Sequence, residues 1–276
     1  MALSRTWYNT LVDDDGSNTV GSIWDKAAVD HIYDDVDLEI ARLDVAGSVV
    51  ASTVTGTQNN YAPTLLNRTL IEWAGAADAT FTGLAGGATG KIVTFKNTGS
   101  FVAYFAHQHA SSSAGNKFRN FATSASTPIA ATGAITFQYD GTDWQIIAHE
   151  QGAWITPTFS AANFTASAGT WTVDAGDVLT DMYRLSGRTL QWQFAVATTS
   201  VSTTPTYLQR TLWGFTSGSQ RFDSVIQQAD NGATQSVGYA WVQPAFSTVL
   251  FGKFSGNWAA ATNNTTIITQ GCCAVA

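Results

Sequence analysis

The sequence predicts a mainly β protein. An N-terminal helix, expected to form a trimeric helical bundle, is followed by two antiparallel domains of the β-sandwich or jelly-roll type. Three observations predict this fold class. The chain is rich in Gly, Thr, Ser and Ala, and its 276 residues include only three Glu, a poor composition for helices. Short β-branched and aromatic runs alternate with turn signals. Ten Trp and fifteen Phe supply apolar area for two modest cores.

Residues 1–45 are predicted to be an acidic N-terminal anchor. They hold ten acidic and three basic residues, whereas acids and bases balance in the rest, so the net charge of −7 lies here. Residues 22–45 form the predicted helix, because Ser22 can cap it and Asp25 places an acid in its first turn. Apolar positions spaced three and four apart form its oligomerisation and docking face: Val29, Ile32, Tyr33, Val36, Ile40 and Leu43.

Three interpretations of this helix stay open. Acidic residues flank the apolar face, so like charges would meet in a free coiled coil, and a helix this short is marginal alone. We expect sister chains plus a basic or mixed socket on another protein to hold it. The alternatives are a solvated acidic face, or packing against the sheet of its own chain.

Residues 46–152 are predicted to be the first β-domain with its linker. Residues 46–60 are interpreted as a linker or an edge strand, and residues 92–96 and 135–139 as half-buried strands. The glycines from Gly83 to Gly90 predict a turn, because Ala85 stands where a phosphate-binding P-loop needs its first glycine. Asp140-Gly141 predicts a tight hairpin.

Residues 153–276 are predicted to be the C-terminal β-sandwich. Its clearest strand is 189–196, where Leu190, Trp192, Phe194 and Val196 share one face. Turn signals lie at 187–188, 231–232 and 256–257, a spacing typical of a sandwich or jelly roll. No repeat of the length that solenoids and propellers use is seen. The other predicted strands are 170–173, 206–213, 236–242, 248–254 and 265–269.

Several residues could carry chemistry, but none is assigned a catalytic, cofactor or metal role, and no cofactor is expected. His107 and His109 would share a face in a strand, an arrangement that suits a metal ion, a packing role or surface hydrogen bonding. Glycan cleavage needs two carboxylates across a cleft. The candidates are Asp140 and Asp143 in a turn, and Asp174, Asp177 and Asp181 in a loop beside Trp171 and Tyr183; solvated turn acids are the alternative.

Charge and hydropathy exclude other classes. No basic stripe is present to neutralise phosphates, so no nucleic-acid partner is expected. No apolar run is long enough to cross a bilayer, and no secretory pattern follows Met1, so neither membrane insertion nor a signal peptide is expected. Cys272 and Cys273 are adjacent and are not expected to bridge one another.

The stretch 57–147 carries four motifs that occur together. They are Asn60-Tyr61-x-Pro63, the turn Thr82-Gly83-Leu84-x-Gly86-Gly87-x-x-Gly90, the run of His107 with Ser111–Ser113 and Asn116-Lys117-Phe118, and Tyr139-Asp140-Gly141-Thr142-x-Trp144. This stretch, about a third of the chain, resembles a small β-domain of tailed-bacteriophage fibre and appendage proteins. His107 and Phe118 match that family's pattern, whereas His109 and the polar run 119–126 depart from it. Residues 163–166 and 170–173 show a looser likeness to C-terminal β-domains of phage fibre proteins.

The resemblance implies a virion component, usually trimeric and without catalysis in this domain. We therefore expect a non-enzymatic tail fibre, spike or appendage subunit on the outer surface of a virion that assembles in the host cytoplasm. It would be a homotrimer, bound to other virion proteins through residues 1–45 and used in adhesion to a host glycan or protein. The alternatives are a head fibre, a capsid or collar decoration protein, a glycan hydrolase, or a carbohydrate-binding module that uses aromatics such as Trp213 or Trp258.

Overall fold

The computed structural model of this chain describes residues 49–64 and 69–276. The predicted helix over residues 22–45, with its docking face, lies outside the described residues. Within them the chain is mainly β, as predicted, and residues 50–64 and 70–276 form one compact unit. The strands of the first group are β1 (Val50–Ser52), β2 (Gly56–Gln58), β3 (Leu70–Trp73), β4 (Ala79–Phe81), β5 (Ile92–Asn97), β6 (Ala103–Phe105), β7 (Phe118–Arg119), β8 (Thr127–Ile129), β9 (Ala134–Tyr139) and β10 (Trp144–Glu150).

The first six strands alternate between two facing sheets, and β8, β9 and β10 then join these sheets through antiparallel pairs. β1, β3 and β5 lie side by side in a six-stranded sheet of order β1-β3-β5-β9-β10-β7, and β2, β4 and β6 in a four-stranded sheet of order β2-β4-β6-β8. The pairs β1–β3, β3–β5, β2–β4 and β4–β6 are all parallel. Successive strands thus alternate between the two sheets. Among the described residues β1 lies at a sheet edge, which agrees with one of the two interpretations of its segment.

The prediction of a wholly antiparallel first domain is therefore wrong. Turn signals between short strands suggested hairpins, but each turn here leads to the opposite sheet, so the chain returns in the same direction as before. The register pairs Ile71 with Phe95 in one sheet and Ala79 with Ala103 in the other, with equal sequence separations. The sequence shows no such period, because the stacked positions Ser52, Trp73 and Asn97 are chemically unlike one another.

Aromatic side chains fill the space between these two sheets. Phe81 and Phe105 stack with ring centroids 5.3 Å apart, and Phe95 meets Phe105 edge to face at 5.0 Å. Polar atoms that enter this core have partners: Trp73 Nε1 donates to Val54 O at 2.7 Å, and Asn97 Nδ2 donates to Ile129 O at 3.1 Å. Pairing these polar groups removes the penalty of burying them, which lets such a small core hold together.

The predicted turns of the first group are confirmed. Gly86 and Gly90 have φ of +80° and +85°, the left-handed region that only glycine adopts easily. β9 and β10 form an antiparallel hairpin whose turn holds Asp140 and Gly141, and Asp140 accepts the backbone N–H of Thr142 and of Asp143 at 2.8 Å each. Both predicted strands are observed, as β5 and β9.

The second group is a single antiparallel sheet curled around one core. Its order is β11-β15-β18-β17-β16-β19-β14-β12, with β13 paired to β14. Every pair in it is antiparallel, as predicted for the C-terminal domain. Its strands are β11 (Phe164–Ala166), β12 (Trp171–Thr172), β13 (Val178–Ser186), β14 (Thr189–Val201), β15 (Tyr207–Thr211), β16 (Phe222–Ala229), β17 (Ser236–Val242), β18 (Thr248–Lys253) and β19 (Ala261–Ala274). Two short 3-10 helices cover Ala161–Asn163 and Ala175–Asp177.

Hydrophobic alternation locates most of these strands. Leu190, Trp192, Phe194 and Val196 of β14 all face the core, as predicted. Asn231 and Gly232 have φ of +50° and +69°, as a tight turn requires. The sequence does not predict β13 and β16, because their apolar residues do not mark the buried face: Leu179 and Val225 are exposed, whereas the polar Gln228 is buried.

The two groups share side chains across their junction. Ala122 and Ala130 of the first group belong to the same buried cluster as Leu185 and Leu190. Gln151 is fully buried between them; its Oε1 accepts Leu185 N–H at 2.6 Å, and its backbone O accepts Ala130 N–H at 2.7 Å. The predicted boundary at 152–153 thus falls between β10 and the second group, inside one compact unit.

Candidate binding surface

The outward face of the nine-stranded sheet carries four neighbouring aromatic side chains. Tyr207 lies on β15, Tyr239 and Trp241 on β17, and Phe254 directly after β18. Because successive side chains of a strand alternate between its faces, Tyr239 and Trp241 point the same way, opposite to buried Ala240. β15, β18 and β17 are adjacent, so the four rings converge. We call these four residues the aromatic platform.

The rings of the platform form a shallow, continuous surface. Tyr239 and Trp241 have centroids 4.9 Å apart and an interplanar angle of 31°, and Tyr239 and Phe254 are 5.6 Å apart at 37°. Tyr207 meets Trp241 edge to face at 5.8 Å and an angle of 83°. Tyr239 and Phe254 thus form the part of this surface that reaches solvent, and the nearly buried Trp241 and the half-buried Tyr207 pack beside them.

Gly252 of β18 sets the height of the platform above the sheet. Tyr239 lies directly opposite it in the neighbouring strand. A Cβ at this position would lie 2.7 Å from the ring of Tyr239 and 3.0 Å from that of Trp241. The rings can lie against the strand only because this residue has no side chain.

Exposure increases from one side of the platform to the other. Trp241 is 8% exposed, Tyr207 and Tyr239 are half-buried, and Phe254 is 69% exposed. Val225, the cross-strand neighbour of Tyr239 on β16, is 66% exposed. Large apolar side chains grouped on a surface are typical of a binding site, whereas single ones are not.

One oppositely charged pair borders the platform. Arg221 donates to Asp223 through Nε and Nη2, and both side chains are more than half exposed. The pair of Lys253 with Asp230 lies on the opposite face of the sheet, because Lys253 alternates with Gly252 and Phe254. A hollow of about 540 Å³ lies between platform and border, lined by Arg221, Asp223, Ser224, Val225, Tyr239 and Phe254.

A second hollow continues along the same outer face. It has a volume of about 410 Å³ and shares Val225 with the first. Gln193, Gln270 and Ile268 line it from β14 and β19. The outer face is therefore aromatic over β15, β18 and β17, and carries aliphatic and amide side chains over β16, β19 and β14.

The two tryptophans predicted to bind sugar lie elsewhere. Trp258 is fully buried and donates from Nε1 to Phe251 O at 3.1 Å, so its expected role as an exposed aromatic is wrong. Trp213 lies inside a stack, 5.8 Å from the ring of Trp192 on one side and 4.1 Å from the Arg210 guanidinium carbon on the other. Sequence alone could not separate buried from exposed tryptophans in strands of similar composition.

Asp181 is part of a buried cluster instead of a loop. It lies on β13, and its carboxylate accepts Arg210 Nη2 at 2.7 Å and Trp213 Nε1 at 2.9 Å. Burial lowers the pKa of Arg210, and the neighbouring carboxylate opposes that shift. With both carboxylate oxygens engaged, Asp181 holds this corner of the core together.

The other candidate carboxylates have structural partners too. Asp174 and Asp177 form a capping box on the 3-10 helix Ala175–Asp177. Asp143 is buried and pairs with Arg119 at 2.8 Å. Asp140 caps its turn, and the backbone N–H groups of Asp143 and Thr142 lower its pKa. The structure does not bring these acids together across a cleft.

His107 and His109 do not share the face of a strand. Gln108 between them has φ of +42°, so the chain turns here and the alternation fails. His107 Nδ1 accepts Asn120 N–H at 3.0 Å, and His109 Nδ1 accepts Ser111 N–H at 3.2 Å. Burial lowers the pKa of His107. Among residues 49–64 and 69–276, no three His, Cys, Asp or Glu side chains are grouped closely enough to hold a metal ion.

Two further observations concern the chain as a whole. Cys272 and Cys273 are both free thiols, as expected; Cys272 is exposed and Cys273 is buried. In the described part of the chain, no helix is long and apolar enough to cross a membrane.

No protein-family model matches the sequence, and no curated protein matches it either.

Proposed function

We propose that this chain is a non-enzymatic structural protein of a tailed bacteriophage, namely a fibre, spike or appendage subunit used in host adhesion. It is a homotrimer held by a bundle of the helices at 22–45, with residues 1–45 docked into the particle and the C-terminal strand group facing outwards. The four motifs between Asn60 and Trp144 support the phage assignment. The aromatic platform is the observation that supports adhesion.

The platform supports an adhesive role because its exposed apolar area is unfavourable in water until a partner covers it. Phe254 and Val225 are both largely exposed, and they keep apolar area in water beside two further rings. Burying apolar area yields roughly 25 cal/mol per Å². A surface of this kind gains free energy when a partner covers it, which is what an adhesin needs and a purely scaffolding surface does not.

Electron microscopy of labelled particles tests the assignment. Antibody fragments raised against residues 153–276 are expected to decorate the outside of particles that contain this chain and to reduce their attachment to host cells. Fragments against an unrelated internal virion protein serve as the control. Absence of the label from intact particles would exclude the proposal. A label on the head or collar would favour the head-fibre or decoration alternative.

Deletion of residues 2–45 tests the anchor. The truncated chain should retain the β-rich circular dichroism spectrum of the full chain but should not enter particles, because the acidic helix that fills the socket is gone. Attachment through exposed charges should also weaken with salt, since salt screens them. Normal incorporation of the truncated chain would place the anchor in the β-structure instead.

Light scattering tests the oligomer. The full chain is expected to have three times its chain mass of 29.3 kDa. A stable monomer at micromolar concentration would contradict the trimer. It would favour the second candidate, a carbohydrate-binding module of a cellular surface protein, which the aromatic platform also suits. Sustained release of oligosaccharides from host envelope would instead support the glycan-hydrolase alternative.

A further inference from the structure

We propose that the aromatic platform binds the pyranose rings of a neutral polysaccharide. The proposal rests on the proposed adhesive function, and it names the ligand class and the residues that recognise it. Tyr239 and Phe254 would stack against the sugar, Trp241 and Tyr207 would support them, and Arg221 and Asp223 would bind its hydroxyl groups.

The shape of the surface suits a sugar chain. The half-buried Tyr239 and the exposed Phe254 have ring centroids 5.6 Å apart and an interplanar angle of 37°, and the nearly buried Trp241 packs 4.9 Å from Tyr239. A pyranose ring has a face of C–H bonds with slight positive charge, which packs on the negative face of an aromatic ring. Two neighbouring rings that reach solvent offer such faces to two successive sugars, whereas a single exposed ring would hold only one.

Most of the rings are fixed before a ligand arrives. Tyr239 and Trp241 rest on the backbone of Gly252, and Tyr207 supports Trp241 from the side. Side chains already held in place lose little conformational entropy on binding, which favours weak ligands such as sugars. Phe254, at the exposed end, has the room to adjust to the sugar.

The border of the hollow carries balanced charge. Arg221 is the cation that lines the hollow, and its negative partner Asp223 lies beside it. The exposed Arg221–Asp223 pair keeps unused N–H donors and carboxylate lone pairs, because a guanidinium has five N–H groups. Such a border can bind hydroxyl groups, but it offers no net charge to attract an acidic sugar.

Affinity electrophoresis of the full chain tests the ligand class. The probes are dextran, galactomannan and mannan as neutral polysaccharides, and alginate and hyaluronan as acidic ones, each cast in a native gel. We expect at least one neutral probe to retard the chain and the acidic probes to leave it unaffected. Retardation should persist when salt is raised, because stacking is not screened. Retardation by acidic probes alone, lost in salt, would overturn the proposal, as would no retardation by any neutral probe.

Two substitutions locate the site. Phe254→Ala should reduce the affinity at least about tenfold, the loss expected from one stacked ring. Because Phe254 is largely exposed, its removal should leave folding intact. Gly252→Ala should weaken binding by lifting Tyr239 from the strand. Phe101→Ala, which removes an exposed ring from the loop between β5 and β6, is the matched control and should bind normally. Equal binding by Phe254→Ala and Phe101→Ala would overturn the proposal.

Light scattering of the same variants separates a sugar site from an interface between chains. If Phe254→Ala lowers the mass of the assembly, the platform is a contact between copies, and the proposal fails. These binding experiments and the particle-labelling experiment can fail independently of each other. Labelled particles without retardation by neutral probes would leave adhesion standing and remove the neutral-glycan proposal, whereas retardation without labelled particles would do the reverse.

Discussion

Arg210 and Asp181 form an ion pair inside the second strand group, whereas Arg221 and Asp223 pair in solvent. The side chain of Arg210 is 1% exposed, and that of Arg221 is 56% exposed. A buried charge that loses its partner keeps the full cost of desolvation, whereas an exposed charge regains water. The two ion pairs therefore contribute differently to the free energy of unfolding, although each consists of one Arg and one Asp.

Asp181→Ala should lower the free energy of unfolding by about 3–5 kcal/mol, because it leaves Arg210 charged, buried and unpaired. Asp223→Ala is the matched control in the exposed pair, and it should change stability by less than about 1 kcal/mol. Urea denaturation monitored by tryptophan fluorescence measures both. The double variant Arg210→Met/Asp181→Leu should regain much of the loss. Equal effects of the two single variants would show that burial does not set the difference.

His149 is a second residue whose burial has a measurable consequence. Its Nε2 lies 2.8 Å from Pro128 O, and burial lowers its pKa. The unfolded chain therefore binds a proton more readily than the folded one. As pH falls below about 6.5, the ordinary value for histidine, the unfolded state is protonated first and stability is lost.

His149→Gln should reduce this pH dependence. Between about pH 7 and pH 5 the free energy of unfolding of the variant should fall less steeply than that of the unchanged chain, because one proton-binding difference is gone. Denaturation at a series of pH values provides the test. The double replacement His107→Gln/His149→Gln should flatten the curve further, since burial lowers the pKa of His107 too. An unaltered slope in the single variant would refute the assignment.

At the scale of elements, close backbone approach decides where glycine is required. The turn after β4 passes under the segment that precedes β7: Leu84 N–H donates to Asn116 O at 2.7 Å, and Trp144 Nε1 donates to Leu84 O at 2.7 Å. A Cβ on Gly83 would lie 2.5 Å from Asn116 O and 2.6 Å from Ser112 Oγ. Gly83 thus allows the turn after β4 and the segment before β7 to remain in contact.

Gly83→Ala should destabilise the chain by about 1–3 kcal/mol, because a backbone oxygen must move to make room. Gly176→Ala is the control, since nothing lies within 4 Å of the position of its Cβ and its φ is not positive. Thermal unfolding of the two variants compares them. The prediction fails if Gly83→Ala melts at the same temperature as Gly176→Ala.

At the scale of the whole molecule, the two strand groups depend on each other. Gln151 Nε2 donates to Ala153 O at 3.1 Å while its Oε1 accepts Leu185 N–H. Ala276 O accepts the N–H groups of Thr123 and Ser124 at 2.7 and 3.1 Å, so the last residue of the second group is bound to the first. Core residues from both sides complete the junction.

Gln151→Leu should therefore destabilise both groups together, by about 1–3 kcal/mol, because it leaves the buried Leu185 N–H without an acceptor. Hydrogen exchange measured by mass spectrometry resolves the two: protection of β5 and β14 should fall in parallel. Gln209→Leu, on the outer face of β15, serves as a surface control. Loss of protection confined to one group would show that the groups unfold independently.

The sequence by itself determined the features that depend on local chemistry. The mainly β class followed from composition, the buried face of β14 from alternation between Leu190 and Val196, and the hairpin at Asp140-Gly141 from its turn residues. These features are local because a side chain's face and a turn's φ depend on neighbours a few residues away.

Only the tertiary structure decided which distant segments meet. It paired β1, β3 and β5 in parallel and joined Asp181 to Arg210 from a different strand. It also buried Trp258 while gathering Tyr207, Tyr239, Trp241 and Phe254 on the outside. All of these residues suit a strand equally well, and strand propensity does not say which face meets the core. That choice is made when the nine strands close around one interior, because only then do inward and outward become distinct.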